Sequence, residues 1–334
     1  MKQIKTLLGA VLGVAILGSS AQALAEANEI RIAQQYGISY LPTLIIENQK
    51  LVEKHAKAAG LGDVKVTWAK FAGANVMNDA LLSGSLDIAS AGVPPAVTLW
   101  AKTKGEVKLV TAMNSMPNLL NSRNPKVKSI RDLTEKDKIA VPAVKVGFQP
   151  VLLQMAAEKE FGEAHTFKLD PLTVSLAHPD ALIALTSGAS EITTHFAAPP
   201  FAQQELEKPD VHTILNSYDV LGGPATFNVL YASKKFHDGN PKLYGAFLKA
   251  FEEATAIINR DKRAAAQTYL ALSKDKDSVE DILKILNDPQ VVFTLTPQNV
   301  TKFSDFLFKI GSIKQKPANW KELFFAEVHH LQGS

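Results

Sequence analysis

The sequence predicts an α/β protein of two lobes, each a mostly parallel sheet flanked by helices. Three observations predict it. Apolar residues switch repeatedly between the two-residue period of a strand and the three-to-four-residue period of a helix. A block at 80–95 returns at 184–200, with similar strand and helix runs ahead of each copy. From Pro241 onward the pattern is helical, which leaves no further strands for a third lobe.

The elements follow in order. In the first half the periodicity predicts strands near 29–34, 64–68 and 86–90, with helices near 41–58 and 74–83 between them. In the second half it predicts strands near 138–141, 167–174 and 190–196, with helices near 150–161 and 179–187. Strand and helix alternating at this length imply a parallel sheet with right-handed crossovers. Short strands at 211–218 and 226–233 come next, separated by the Gly222-Gly223-Pro224 turn. Leu243, Phe247, Ala250, Phe251, Ala254 and Ile258 then form one apolar stripe. Helices near 262–272, 278–286, 298–310 and 320–330 complete the chain and are expected to pack back on the first lobe.

The repeat is specific. Ala80, Leu81, Ser83, Gly84 and Ile88 match Ala184, Leu185, Ser187, Gly188 and Ile192; Asp87 matches Glu191; Pro94-Pro95 matches Pro199-Pro200. Two such halves face one another across a cleft, and ligands of α/β sheets bind beyond the carboxyl ends of the strands.

Composition narrows the function. The chain has 334 residues, 46% of them hydrophobic and 21% charged, a balance that excludes a disordered or collagen-like protein and suits two lobes. A net charge of +3 is too small to argue for a nucleic-acid partner. There is no Cys, hence no disulfide framework, thiol nucleophile or Cys-based metal site. Lys2 and Lys5, the apolar run from Leu7 to Leu17 and the small residues ending in Ala23-Leu24-Ala25 read as a secretory signal cleaved near Ala25. Without residues 1–25 the chain carries 34 Lys+Arg against 33 Asp+Glu, close to neutral. An exported chain without Cys suggests a bacterial periplasm.

Few catalytic constellations are present. The chain contains no G-x-S-x-G, G-x-x-x-x-G-K-[ST], H-E-x-x-H or G-x-G-x-x-G. Glu191 and His195 are four apart and would pair on a helix, but the β-branched Ile192-Thr193-Thr194 between them favours a strand. The loops expected to face the cleft are 34–37, 71–75, 91–94, 144–148, 177–178 and 195–198. They carry Lys145, His178 and His195 and no Asp or Glu, which favours a small anion. Several run straight into helices, whose first N–H groups form an anion site without a catalytic side chain. Gly37, Gly73, Gly92 and Gly147 would let the backbone approach a ligand. Tyr36, Phe71, Phe148 and Phe196 would give it apolar walls.

At this point the chain resembles the solute-binding proteins of bacterial ABC importers, in the group of aliphatic-sulfonate, taurine, nitrate and thiamine-pyrimidine-precursor binders. The residues that carry the resemblance are S-G-x-x-D-I-A-x-x-G-x-P-P at 83–95 with Trp100-Ala101-Lys102, Ile130-Arg131-Asp132-Leu133 with 138–142, Thr194 to Phe201, and Tyr231 to Phe251. The resemblance implies a two-lobed periplasmic-binding-protein fold (type II). It also implies two hinge crossovers, near 114–125 and 221–230, that close over one ligand. Lobe 1 is then 26–115 with 226–334, and lobe 2 is 116–225. The resemblance implies docking on an inner-membrane permease, action as a monomer, and no cofactor, metal or enzymatic activity. Carried over by position, Gln35, Tyr36, Asn75, Gly92, Lys145, Gly147, His195 and Thr226 are the expected ligand contacts, beside Phe148 and Phe196. Members that bind the thiamine precursor use acidic contacts, and these loops have none. The related eukaryotic enzymes rely on a Cys-rich segment that this chain lacks. The expected function is capture of a small anion (sulfonate, carboxylate or nitrate-like) and its delivery to a permease. The alternatives are a ligand sensor feeding a receptor, and a periplasmic metal-dependent enzyme using Glu191 and His195.

Overall fold

A computed structural model describes residues 26–334, and the signal expected at residues 1–25 lies outside the described residues. The chain begins with β1 (Glu29–Gln34), α1 (Leu41–Gln49) and α2 (Leu51–Ala58). Ile30 and Ile32 of β1 point into the core, while Arg31 on the opposite face makes a two-pronged bond to Asp87. The helix expected over 41–58 is broken in two at Lys50, whose φ of 52° is left-handed. No Gly or Pro marks that break, so nothing in the periodicity reveals it.

There follow β2 (Lys65–Lys70), α3 (Ala74–Leu82), β3 (Ile88–Gly92), α4 (Val93–Lys102) and β4 (Val107–Ala112). The chain then crosses through the two-residue β5 (Asn114–Ser115) into β6 (Leu119–Ser122). β7 (Lys138–Val141), α5 (Phe148–Phe161), β8 (Thr173–Ser175), α6 (His178–Thr186), β9 (Ile192–Ala197), α7 (Phe201–Leu206) and β10 (His212–Asn216) build the second half. The strand expected over 167–174 survives only at its end. Asp170-Pro171-Leu172 forms a 3-10 turn, and Pro171 has no N–H for a ladder. The short helix α8 (Ser217–Leu221) leads back across to β11 (Asn228–Ser233).

Two five-stranded sheets result, ordered β2-β1-β3-β11-β4 and β10-β6-β9-β7-β8. In each, one strand alone runs against its neighbours: β11 against β3 and β4, β6 against β9 and β10. Both are the first strand after a crossing. The remaining strands share one direction, as strand–helix–strand units require. The crossings themselves touch. Ser115 Oγ lies 2.8 Å from Ala225 O and 2.7 Å from the Tyr218 hydroxyl, and Phe227 N donates to Asn114 O at 3.0 Å.

The rest of the chain is α9 (Lys234–Gly239), α10 (Pro241–Arg260), α11 (Lys262–Ser273), α12 (Val279–Asn287), β12 (Val292–Phe293), α13 (Val300–Lys309) and α14 (Trp320–Leu323). All six stripe residues of α10 are buried, and the helix lies against α1 and α2. Burying one such Leu or Phe stabilises by roughly 1.5–3 kcal/mol. α11 packs on α1 and α13 on α4, so this region covers the first sheet. One strand does occur here: β12 pairs with β5 at the crossing. The helix expected at 320–330 stops at Leu323, because Phe325 N turns to bond Leu109 O at 2.9 Å.

Candidate functional site

The carboxyl ends of β1, β3, β7 and β8 face one another around a cavity of about 30 Å³, room for only about two waters. One wall comes from the first sheet: Gln35, Tyr36, Tyr40, Ala74, Gly92, Pro95, Phe227 and Asn228. The other comes from the second: Pro142, Ala143, Gly147, Phe148, Gln149 and His178. Neither wall contributes a Lys, Arg, Asp or Glu.

Four helices start at this cavity, and none has a side-chain cap. The residues preceding α3, α4, α5 and α6 are Gly73, Gly92, Gly147 and Ala177. An uncapped first turn leaves its N–H groups free and carries partial positive charge. Three of the four can donate. The first turn of α4 cannot, because Val93 N is taken by Phe227 O at 3.1 Å and Pro94 and Pro95 have no N–H. The ring of donors therefore has one apolar gap, filled by Pro95.

The two walls are in contact. A Cβ on Gly92 would stand 2.6 Å from Phe148 Cβ, and one on Gly37 2.9 Å from Pro199 O; Gly73 lies equally tight against Pro142 O. Ile38 N also donates to Pro199 O at 3.2 Å. The glycines expected to admit a ligand thus serve as well to let one wall close on the other.

Behind the cavity lies a buried polar chain. His178 Nδ1 is 2.8 Å from His195 Nε2, and His195 Nδ1 bonds Glu205 Oε1. Asn121 Nδ2 donates to Glu205 Oε2 at 2.9 Å, and Thr213 Oγ1 donates to Asn121 Oδ1 at 2.7 Å. His195 and Glu205 are fully buried. Burial, reinforced by the neighbouring His195, holds the His178 imidazole well below the usual histidine range, so His178 is neutral. On the opposite wall burial and the nearby Tyr231 push the Tyr40 hydroxyl up, and its bond from Asn228 Nδ2 at 3.0 Å offsets this only in part. Asn228 leaves its Oδ1 without a protein partner.

Of the expected contacts, Gln35, Tyr36, Gly92, Gly147 and Phe148 line the cavity. The other five do not. Lys145 is exposed and sits in a left-handed turn. Asn75 is exposed in the first turn of α3, where Ala74 takes the cavity position. Thr226 is buried and stitched to Gln298, donating from N at 2.9 Å and accepting at Oγ1 at 2.8 Å. His195 and Phe196 are strand neighbours and so point to opposite faces. His195 joins the chain behind His178, and Phe196 enters the main core.

Glu191 is exposed at the start of β9, and the carboxylate that His195 meets belongs to Glu205. Among the described residues no three His, Cys, Asp or Glu side chains are grouped to hold a metal. Tyr40, Gln149, His178 and Asn228 were missing from the expected contacts. A polar Asn heading the apolar run Val229-Leu230-Tyr231-Ala232 was the available signal for Asn228. Glu205, on one helical face with Phe201, was the signal for the buried chain.

A wider groove of about 370 Å³ opens at the mouth, between Tyr36, Lys70, Ile183, Phe201, Lys274, Asp275 and Lys276 among others. The cations absent from the inner cavity stand here. Lys70 Nζ lies over the Tyr36 ring, 5.2 Å from its centre. No helix among the described residues is long and apolar enough to cross a membrane.

Residues 24–272 match the NMT1-like family. No curated protein matches the chain in sequence. Among solved structures, the alkanesulfonate-binding protein SsuA from Xanthomonas axonopodis pv. citri, bound to MOPS, is similar at 16% identity and a TM-score of 0.68. The match covers 87% of this chain and 96% of that one. The periplasmic nitrate-binding protein NrtA from Synechocystis PCC 6803 matches at 15% identity and 0.64, over 92% and 86% of the two chains. The Candida albicans CA3427 gene product, which exhibits the generic periplasmic binding protein fold, matches at 15% and 0.67, over 88% and 94%. Likeness at this identity establishes the fold: two helix-flanked sheets of the periplasmic-binding type.

Proposed function

The chain belongs to the NMT1-like family, and from that membership, the fold and the cavity we propose that it is the substrate-binding component of an ABC-type importer, capturing a small anion between its two sheets. The observation that carries the reading is the convergence of three uncapped, donating helix starts (α3, α5 and α6) on one cavity without a carboxylate. Such an arrangement stabilises a negative charge with fixed backbone dipoles, and an unpaired cation in its place would be repelled.

The ligand is a sulfonate, a carboxylate or a nitrate-like ion. As the walls stand the cavity has room for only about two waters, so an organic body would enter only with the cleft further open. Tyr36, Tyr40, Phe148 and Phe227 would then flank it, and the Asn228 carboxamide supplies a directional contact. The lysines at the mouth would raise the local concentration of anions before entry. In this reading 26–115 and 226–334 form one lobe and 116–225 the other. The paired crossings at Ser115 and Ala225 are the hinge. The protein acts as a monomer in the periplasm, and the closed form is the one presented to the permease.

A thermal-shift screen of residues 26–334 against sulfonates, carboxylates, nitrate and pyrimidines, with and without EDTA, tests this. A ligand held only by the folded state at 100 times its Kd stabilises by about 2.7 kcal/mol. A shift with one anionic class, indifferent to EDTA, supports the reading. No shift with any anion, together with destabilisation by EDTA, favours a metal-dependent protein and overturns it.

A further inference from the structure

We propose that anion binding in this cavity takes up one proton, and that the Glu205–His195–His178 chain switches the atom facing the ligand, His178 Nε2, from hydrogen-bond acceptor to donor. The inference rests on the anion reading above and adds to it a requirement for a proton.

Asn121 Nδ2 donates to the Ala202 carbonyl at 3.0 Å, an acceptor only, which fixes Nδ2 as the donor to Glu205 Oε2 as well. Glu205 therefore accepts on one oxygen from Asn121 and on the other from His195 Nδ1–H. The second nitrogen of His195 faces His178 Nδ1, and a single proton occupies that contact. Two arrangements are possible, one proton apart.

In the first, His178 Nδ1–H donates to a neutral His195, and His178 Nε2 carries a lone pair. The chain then has the net charge of Glu205 alone, a buried −1 behind an anion site. In the second, a proton from solvent adds to His178 Nε2 and the Nδ1 proton passes to His195 Nε2. His195 becomes an imidazolium against Glu205, the chain is neutral, and His178 Nε2–H donates. No ring needs to turn. The second arrangement is the one an anion selects.

Geometry supports the switch. His178 is 7% exposed, lines the cavity and makes no bond through Nε2. Phe201 stacks on its ring at 5.4 Å and holds it in plane. Other charged groups on the packed elements are directed elsewhere. On α6 and after α7, Asp180 and Glu207 are exposed. Beyond β6, Arg123 binds the carbonyls of Ser190 and Ile192. On β10, His212 meets Val127 O. Beside β7, Asp137 is tied to Asn124 and Thr134, and Lys138 lies at the opposite end of that strand from the cavity. Of the two rings only His195 touches a carboxylate, through Nδ1 to Glu205 Oε1, so the added proton is placed on His195.

Calorimetric titration of the purified protein with methanesulfonate, acetate and nitrate, in buffers of different protonation enthalpy at about pH 5 to 8, tests the proposal. The expected result is uptake of about one proton per anion in the upper part of that range, with affinity falling toward tenfold per pH unit as pH rises. Glu205→Gln removes the counter-charge, so proton uptake and the steep pH dependence should vanish. His178→Gln, whose amide donates without titrating, should also bind without proton uptake if Glu205→Gln fails to fold. Anion binding with no proton exchanged in the wild type, and with affinity flat in pH, overturns this proposal and leaves the importer reading standing. No binding of any of the three anions across the range overturns both.

Discussion

Gly92 and Phe148 meet across the cleft so closely that a methyl group on the glycine would stand 2.6 Å from the phenylalanine Cβ. Gly92 has φ −60° and ψ 160°, a conformation open to any residue, so the missing side chain serves the approach of the two walls and not the backbone.

Replacing Gly92 with Ala should therefore leave the fold intact and oppose closure. The expected loss is at least about tenfold in ligand affinity, through a smaller closed fraction. The melting temperature of the empty protein should change by no more than about 2 °C. Calorimetry and a thermal melt of the same variant check both halves, and small-angle scattering should show a larger radius.

Lys145 is the cation that the sequence places nearest the ligand, yet it is exposed and absent from the cavity lining. Lys145→Ala should alter anion affinity by less than about twofold, as expected for a solvent-screened charge. A larger loss in a titration at physiological salt would return Lys145 to the site.

Gln204 of α7 spans the mouth of the cleft, donating from Nε2 to Asp275 at 2.8 Å and Asp277 at 3.0 Å. A bond to a charged group contributes about 1.5–3 kcal/mol when well formed. Gln204→Leu should release ligand several times faster while association changes little, which stopped-flow dissociation would measure.

Asp277 carries the titration with the clearest direction. Burial, and after it the neighbouring acids Asp275, Glu207 and Asp281, push its carboxyl up to about 6, against the lowering by Gln204. A carboxyl raised on folding binds more protons in the native state. Stability is therefore lost as pH rises from the unfolded value near 4 through about 6. Allowing for solvent screening, the loss is on the order of 1 kcal/mol. Asp277→Asn should raise the melting temperature by about 2 °C at pH 8 and leave it unchanged at pH 4.

Much of the architecture was legible because it rests on local pattern. The block around Ser83-Gly84 and its copy around Ser187-Gly188 both fold as helix, left-handed glycine and strand, with φ of 74° and 70° at the two glycines. The cavity-facing glycines were legible for the same reason, since strand-to-helix turns mark themselves. The side chains were harder. Alternation along β9 sends His195 and Phe196 to opposite faces, but only the fold says which face meets the cleft. Tyr40 and Asn228 are far apart in sequence, and their contact is a product of β11 entering beside β3. The break at Lys50 carries no local signal at all.

The helices preceded by Gly73, Gly147 and Ala177 lack the Ser, Thr, Asp or Asn that ordinarily completes a first turn, an omission that costs about 1 kcal/mol at Ala177 and only about a few tenths at each glycine. In the proposed reading an empty molecule is in this sense unfinished secondary structure, and the anion would be the cap that three helices share. On that reading occupancy and lifetime are coupled: the empty protein should be cut by proteases sooner than the ligand-saturated one, because a ligand held only by the folded state lowers the open fraction.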